Sequence, residues 1–592
     1  MTAIAQPFNY ERQWATYFGG ENTFVLDNST DSEGNVYIAG YVEGSIPYSN
    51  QFTTTGSFQP SYGGGMRDGY ICKFNPEGLL VWSTYFGKTG DDLISGIHID
   101  KDDNIYITGE TSSNNMASVG VHQTLLSGSS DGFIARFSVA GVCIWSTYFG
   151  GGENDAVHAI DTDFLGNLYV YGRTRSTSAI ATIGSFQENW NASGDSDGND
   201  FIASFTDGGL LIWATYYGTN LPSHSSRITG IDVNNGFFYV AGFAIDSSSS
   251  NYFATPGCYQ PTNSNAIGVG ADMFLSKFSL SGSREWSTYY GGGVIERSVG
   301  SGGIGDRNVH TVSATPSGVY IGGLSNSPNN VATPGSFQTT KQGYSNFVAK
   351  FNYDGNMAWG TYLGNTTAAQ ANGVVSSNTA MLTTTLTDEV YLSGSSYMND
   401  IASPGSYQPH VRTEDETGFY QNNDCFIAKL SSDGTTREFG TYYGGYESEH
   451  GSRCLLHDTG FYILGTTFST ENISSENSYQ PNLNVLSVTA PPVPGNAFIA
   501  KFIETPLNTD EVSKEKSAIY PIPNNGTFNV RLNSNYIGSD LAIYDAQGKM
   551  ILSKIIIQEN TLVKITVSDG IYIVKLSNGK DLSYNCKMVV KN

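Results

Sequence analysis

The chain has 592 residues, with 54 acidic against 30 basic side chains and a net charge of −24. So acidic a chain lacks the basic footprint that neutralises phosphates and is repelled by an anionic membrane surface, which excludes nucleic acid and lipid headgroups as partners. No apolar run reaches the length of a membrane span.

Residues 1–13 open with MTAIAQPF. Ala3-Ile4-Ala5 has the A-x-A form that precedes a signal-peptide cleavage site, without a basic n-region or an apolar h-region, and reads as the remnant of a leader. From Trp14 one string returns at a period of about 70 residues. It runs WATYFGG at Trp14, WSTYFGK at Trp82, WSTYFGG at Trp145, WATYYGT at Trp213, WSTYYGG at Trp286, WGTYLGN at Trp359 and FGTYYGG at Phe439. Three further strings share the period: one such as GNVYIAG (Gly34–Gly40), one such as GSFQP (Gly56–Pro60), and one such as DGFIARF (Asp131–Phe137). The first and third are β-branched and aromatic, bounded by Gly, Asn and Asp, and read as strands.

A further strand precedes each VYITG-like one, as in Leu93–Asp100. Four strands per period and seven periods predict an all-β fold, a seven-bladed β-propeller of four-stranded blades over 14–502. We name the strands a to d from the axis outward. The array begins with an orphan d strand at Trp14–Phe18 and ends with an orphan c strand at Phe498–Phe502, so the two chain ends are expected to complete the seventh blade. Low charge (14%), 69 glycines and 37 tyrosines suit such a ring. The six cysteines fall at unrelated positions and read as buried free thiols. The strings GNVYIAGY, PGSFQ, DGFIARF and WSTYFGG resemble the SBBP family of bacterial seven-bladed propellers, a resemblance that implies export and brings no catalytic residues.

Residues 503–518 are polar and charged and read as a linker. Residues 519–592 open a different module of several short strands, expected to be a small β-sandwich. Its marks are Tyr520, Pro521, Pro523 and Gly526 in YPIPNNGTFNV, Gly548 in IYDAQGK, Gly570 and Tyr572 in GIYIVKL, and the terminal KMVVKN. In this order they resemble the type A C-terminal sorting domain of the Bacteroidetes type IX secretion system, with Ile522 where the family has Asn. The resemblance implies the secretion machinery as a partner and a secreted or surface-attached product; the chain itself is expected to be a monomer.

Residues present in all seven units read as architecture. Departures from the repeat are therefore the candidate ligand-binding residues. Trp190, the one tryptophan outside the motif, lies in the third b–c loop, where an aromatic can stack on a sugar ring. Asp195, Asp197 and Asp200 in the same loop alternate as Ca²⁺ ligands do, though not in EF-hand order. No cofactor is otherwise implied, and no GxSxG, HExxH or Walker string occurs. The b–c loops are longer than connection demands and are the expected binding face. The leading expectation is an exported binding scaffold for a glycan, matrix component or protein; a polysaccharide hydrolase or lyase and a purely structural surface protein are the alternatives.

Overall fold

The repeated strings form strands because their branched and aromatic side chains fit a pleated, packed surface, while Gly, Asn and Asp turn the chain at each end. In this computed structural model the first four blades run a to d as Thr23–Thr30, Val36–Glu43, Arg67–Phe74 and Leu80–Phe86; Asp92–Ile99, Ile105–Thr111, Asp131–Phe137 and Cys143–Phe149; Asp155–Thr162, Leu168–Thr174, Asn199–Phe205 and Leu211–Tyr216; Ser225–Asn234, Phe237–Ile245, Asp272–Ser279 and Arg284–Tyr290. The fifth and sixth continue with Val312–Thr315, Gly318–Ser325, Ser345–Phe351 and Met357–Leu363, then Met381–Thr384, Val390–Ser396, Asp424–Leu430 and Arg437–Tyr443. Glu296–Arg297 extends strand a of the fifth blade. The described residues are 9–44, 53–190, 198–219, 225–245, 251–264, 270–297, 310–364, 381–397, 399–412, 422–483, 495–505, 518–520, 525–531, 539–545, 548–558, 560–577 and 583–591.

The seventh blade is built from both chain ends. Glu449–Gly451 and Leu455–His457 (a), Gly460–Thr467 (b) and Asn496–Glu504 (c) are joined by Tyr10–Phe18 as strand d, paired antiparallel from Tyr10↔Glu504 to Phe18↔Ala497. The expected closure is therefore present, and it leaves no blade with an open inner ladder.

One row of residues crosses every blade. In the first blade it runs Ser29, Tyr37, Lys73, Trp82. The b-strand tyrosine recurs as Tyr106, Tyr169, Tyr239, Tyr320, Tyr391 and Tyr462, and in six blades the c-strand Lys or Arg spreads its cation over that ring, at 5.0 Å for Lys350 on Tyr320. The cation thus lies on the sheet, its stem covering aromatic surface.

The motif tryptophan joins neighbouring blades. Its indole N–H donates to a carbonyl in the c–d turn of the next blade: Trp14 to Pro76 (3.1 Å), Trp82 to Val139 (3.0 Å), Trp145 to Asp207 (2.9 Å), Trp213 to Leu280 (2.9 Å), Trp286 to Tyr353 (2.9 Å) and Trp359 to Ser432 (3.1 Å). The same turn presents a glycine with positive φ, such as Gly78 (φ 85°), so close to the ring that a Cβ would lie 2.7 Å from it. Only glycine satisfies both demands. Phe439 replaces Trp at the one boundary where no such turn exists, because the c and d strands of the seventh blade are separate chain ends. There Phe439 packs on Tyr10 (4.9 Å) and Phe461 instead.

A second unit, Pro506–Asn592, holds the tail. One sheet pairs Ala518–Tyr520, Thr527–Arg531 and Asn560–Lys564; the other orders Met550–Ile555, Asp540–Tyr544, Gly570–Ser577 and Ser583–Val590. Phe528, Val530, Leu541, Ile543, Val574 and Met588 form their common core. Of the tail marks, Gly526 (φ 82°) and Gly548 (φ 81°) make left-handed turns. Gly570 opens a strand, and buried Tyr572 donates to Ser568 O at 2.8 Å. Tyr520 pairs with Asn529; Pro521 and Pro523 lie outside the described residues.

Trp82→Phe keeps the packing and loses one hydrogen bond, so a denaturant melt is expected to show a loss of about 1 kcal/mol. Trp82→Ala should cost about 3–5 kcal/mol. Phe439→Trp should gain nothing, having no carbonyl to reach. Deleting residues 1–20 removes strand d of the seventh blade and is expected to lower the melting temperature of the whole ring, read by differential scanning calorimetry.

Candidate functional site

The described parts of the b–c loops pack against their own blades. In every blade the loop folds back along the outer edge of strand d: Thr54 N donates to Ser83 O and Tyr85 N to Gln59 O in the first, and Ser475 N to Ala15 O and Tyr17 N to Gln480 O in the seventh, with the same pair of bonds in the five between. Each loop thereby covers an edge that would otherwise template aggregation. Its aromatic then bridges to the next blade, as Phe58 does between Phe86 (6.4 Å) and Phe137 (5.7 Å). In the second blade, which lacks GSFQ, His122 takes that place against Phe149 and Phe205.

The loop residues expected to bind ligand are placed accordingly. Trp190 is 6% exposed and packs in the blade core against Tyr216, so its ring is turned inward by the apolar neighbours it covers. Asp200 lies within strand c, 2% exposed, where it accepts from the Ile228 amide (2.8 Å) and faces Arg173 (3.7 Å). This is an interblade fastening and not the end of a loop chelate. Asp195 and Asp197 lie outside the described residues. Among the described residues no cluster of three or more His, Cys, Asp or Glu side chains is arranged to hold a metal ion.

The sevenfold row points elsewhere. Its b, c and d members repeat, but its axial member does not. Opposite the b-strand tyrosines stand Ser29, His98, Asp161, Asp232, Ser313, Thr383 and Leu455. Two residues earlier in the chain, Asp27 and Arg453 project from the first and seventh blades, and His310 joins them from the fifth. His310 Nε2 lies 2.7 Å from Asp27 Oδ1, which binds groups from two non-adjacent blades directly across the axis.

Asp27 also accepts from the Ile97 amide (2.9 Å) and the Asn28 amide (2.8 Å). Burial opposes its charge, but His310, Arg453 and these amides hold it below the usual carboxylate range. Burial and then Arg453 push His310 down, leaving a neutral imidazole whose Nε2–H donates to Asp27. Asp161 accepts from the Val233 amide (2.7 Å) and has His98 Nδ1 at 3.4 Å. Burial, and next the Asp161 charge, push the neighbouring Asp232 well above its usual range; Ser313 and the Ala314 backbone also bond it. Arg453 donates to Asn28 O at 3.1 Å, and its Nε–H is buried with no acceptor among the described residues. His98 and Asp161 are 25% and 20% exposed, so the axis is reached by solvent there. Sequence reading missed this column because no one residue type recurs through it as Tyr, Lys or Arg, and Trp do through strands b, c and d. Registering each a strand on the b-strand tyrosine finds it.

Residues 518–591 match a secretion system C-terminal sorting domain, and residues 81–115 and 144–178 match the SBBP β-propeller repeat. The chain carries an SBBP propeller ahead of a type IX sorting domain. That tail marks it for type IX secretion, to the cell surface or the medium. The SBBP propeller is also similar to an uncharacterized WD repeat-containing protein of Acanthamoeba polyphaga mimivirus, 21% identical over 340 residues; the match covers 50% of this chain and 24% of that one. Among solved structures it is similar to PorZ of Porphyromonas gingivalis, described as a bacterial surface component of the type IX secretion system (11% identity, TM-score 0.35, 97% of this chain and 60% of that one). A Dyadobacter fermentans protein of unknown function is similar to the same degree (10% identity, TM-score 0.36, 84% of this chain and all of that one). No helix is long and apolar enough to cross a membrane among the described residues.

Asp27→Ala leaves the Ile97 amide and His310 without their acceptor. It is expected to cost about 3–5 kcal/mol in a denaturant melt.

Proposed function

We propose that the exported ring is a binding protein, and that its ligand, a hydroxyl-rich saccharide or the end of one, is held on the axis. The observation that supports this reading is the axial column: it alone varies in residue type while the rest of its row repeats, and it gathers charged and polar groups that solvent reaches at His98 and Asp161. Carboxylate acceptors at Asp161 and Asp27, donors at Arg453, His98 and the protonated Asp232, and hydroxyls at Ser313 and Thr383 supply the acceptor and donor pairs that vicinal hydroxyls require. The acidic surroundings favour neutral or cationic sugars over uronic acids.

A second reading, glycosidic hydrolysis, is favoured by one feature. Asp232, held neutral beside Asp161, has the division of labour of a general acid next to a carboxylate.

The test is a glycan array followed by calorimetric titration, using the full chain and reducing-end release as a parallel readout. Binding without release is expected. Asp161→Asn and Arg453→Met should each weaken it by about 10- to 100-fold, the worth of a charge-assisted hydrogen bond. Release of reducing ends, abolished by Asp232→Asn, would replace the first reading with the second. Binding that both substitutions leave intact would remove the axis as the site.

A further inference from the structure

A second row, at the opposite end of strand c, carries carboxylates in pairs. It crosses the start of strands a and c, as in Asp92–Thr111–Asp131 of the second blade. Across each blade boundary, the c-strand residue of one blade meets the a-strand residue of the next. At four boundaries both are acidic: Asp68 with Asp92, Asp131 with Asp155, Asp272 with Glu296, and Asp424 with Glu449. Where strand c instead has Asn, the partner is not acidic either: Asn199 meets Ser226, and Asn496 lies in register beside Thr23 at the closing boundary. At these six boundaries the two positions vary together, acid with acid and amide with hydroxyl; at the remaining one strand c has Ser345, and the partner position lies outside the described residues. A loop cap on one strand would not require this of the other.

The geometry shows what the acids do to each other. The first glycine of the TYxG string sits between them. A Cβ on Gly87 would lie 2.7 Å from Asp92 Oδ2 and 2.8 Å from Asp68 Oδ1, and one on Gly150 would meet Asp155 Oδ2 (2.7 Å) and Asp131 Oδ1 (2.9 Å). The loop glutamine fixes each c-strand acid from behind. Gln123 donates to Asp131 Oδ2 (2.8 Å) while accepting from the Gly150 amide (3.0 Å), and Gln260 does the same for Asp272 and Gly291. Hydroxyls and amides fix the a-strand acids, as Ser113 (2.7 Å) and the Lys88 amide (2.7 Å) do for Asp92. These donors leave one buried oxygen each of Asp68 and Asp424, the one beside the glycine and the opposite carboxylate, without a hydrogen-bond donor among the described residues. All eight side chains are buried or nearly so.

We infer that each of these four boundaries is fastened by a carboxylic acid and a carboxylate sharing one proton, so that the folded ring carries protons that the unfolded chain does not, and loosens as they are withdrawn.

Two like charges this close and this buried cannot both ionise cheaply. Burial, chiefly, pushes Asp68 up to about 8, and Asp272 and Asp424 to about 7; Asp92, Asp131, Asp155 and Glu296 move upward too, and Glu449 well upward. Few charges facing the pairs oppose this. Asp91, Tyr62 and Tyr85 surround the first pair, and Tyr148 and Tyr216 the second. Tyr290, Tyr362 and Lys341 face the third; Arg412, Tyr17, Tyr443 and Cys425 face the fourth. Only Lys341 and Arg412 are cationic, and neither reverses the upward direction. A group whose folded value is raised stabilises fully below its unfolded value, near 4, and that contribution is lost as pH rises through about 7–8.

The experiment is calorimetry of the full chain from pH 5.5 to 9, with proton exchange on unfolding followed by an indicator dye in weak buffer at pH 7. The melting temperature is expected to fall steadily above pH 6, and unfolding at pH 7 to release about two protons or more per chain. Asp68→Asn combined with Asp424→Asn, which installs the amide found at the two non-acidic boundaries, should remove about half of both effects. A melting temperature that is flat or rises from pH 6 to 9, or proton uptake on unfolding, overturns the inference, and both are read on the native chain if the variant does not fold. So does a fall that added Ca²⁺ abolishes, since a cation and not a proton would then bridge the acids.

Discussion

Ring closure is the constraint on which the rest depends. Seven sheets can share a core only if the last meets the first, and here the meeting is a strand pairing between residues almost 500 positions apart in sequence. The closing blade buries Tyr17, Phe18, Phe498 and Phe502, so closure and core formation are one event. At most of the other boundaries the same problem is solved twice. An indole donates to a glycine turn on one face of the ring, and paired polar groups meet beside a glycine on the other. Each fastening places a glycine where a side chain would prevent two blades from approaching.

The fold was legible because its parts repeat. Strands b, c and d carry the Tyr, the Lys or Arg and the Trp that build the constant part of each row, and both the closure and the sandwich tail follow from strings visible in the chain. The loops misled because length was read as function. A loop that must travel the full height of strand d to cover its edge is long for that reason alone, and Trp190 is spent on packing its own blade. The axial column was illegible for a different reason. Strand a has no repeated string, and a bulge in each of the first four blades, for instance between Val157 and Ala159, shifts its register by a residue. His98 faces the axial row, whereas His158 falls in the bulge of its strand.

The paired acids show a second limit of reading one string at a time. Taken alone, the Asp that opens strand c is a loop cap, and it does accept loop amides. Its counterpart lies some 24 residues on, across a boundary between blades, and only the fold puts the two carboxyls face to face. The axis differs in that its charged groups join blades without repeating from one blade to the next.

The lone Phe in the tryptophan series marks the seam of the ring, and the seam fixes an order of events. Among the strands of the ring, Tyr10–Phe18 is synthesised first, and its partner Asn496–Glu504 is completed only when the propeller sequence is finished. Until then that first strand has no ladder to join, and the chain emerging from the ribosome is an open arc. The segment that seals it lies directly ahead of the export tail, so a chain long enough to be recognised for secretion is also one that already holds everything needed to become a circle.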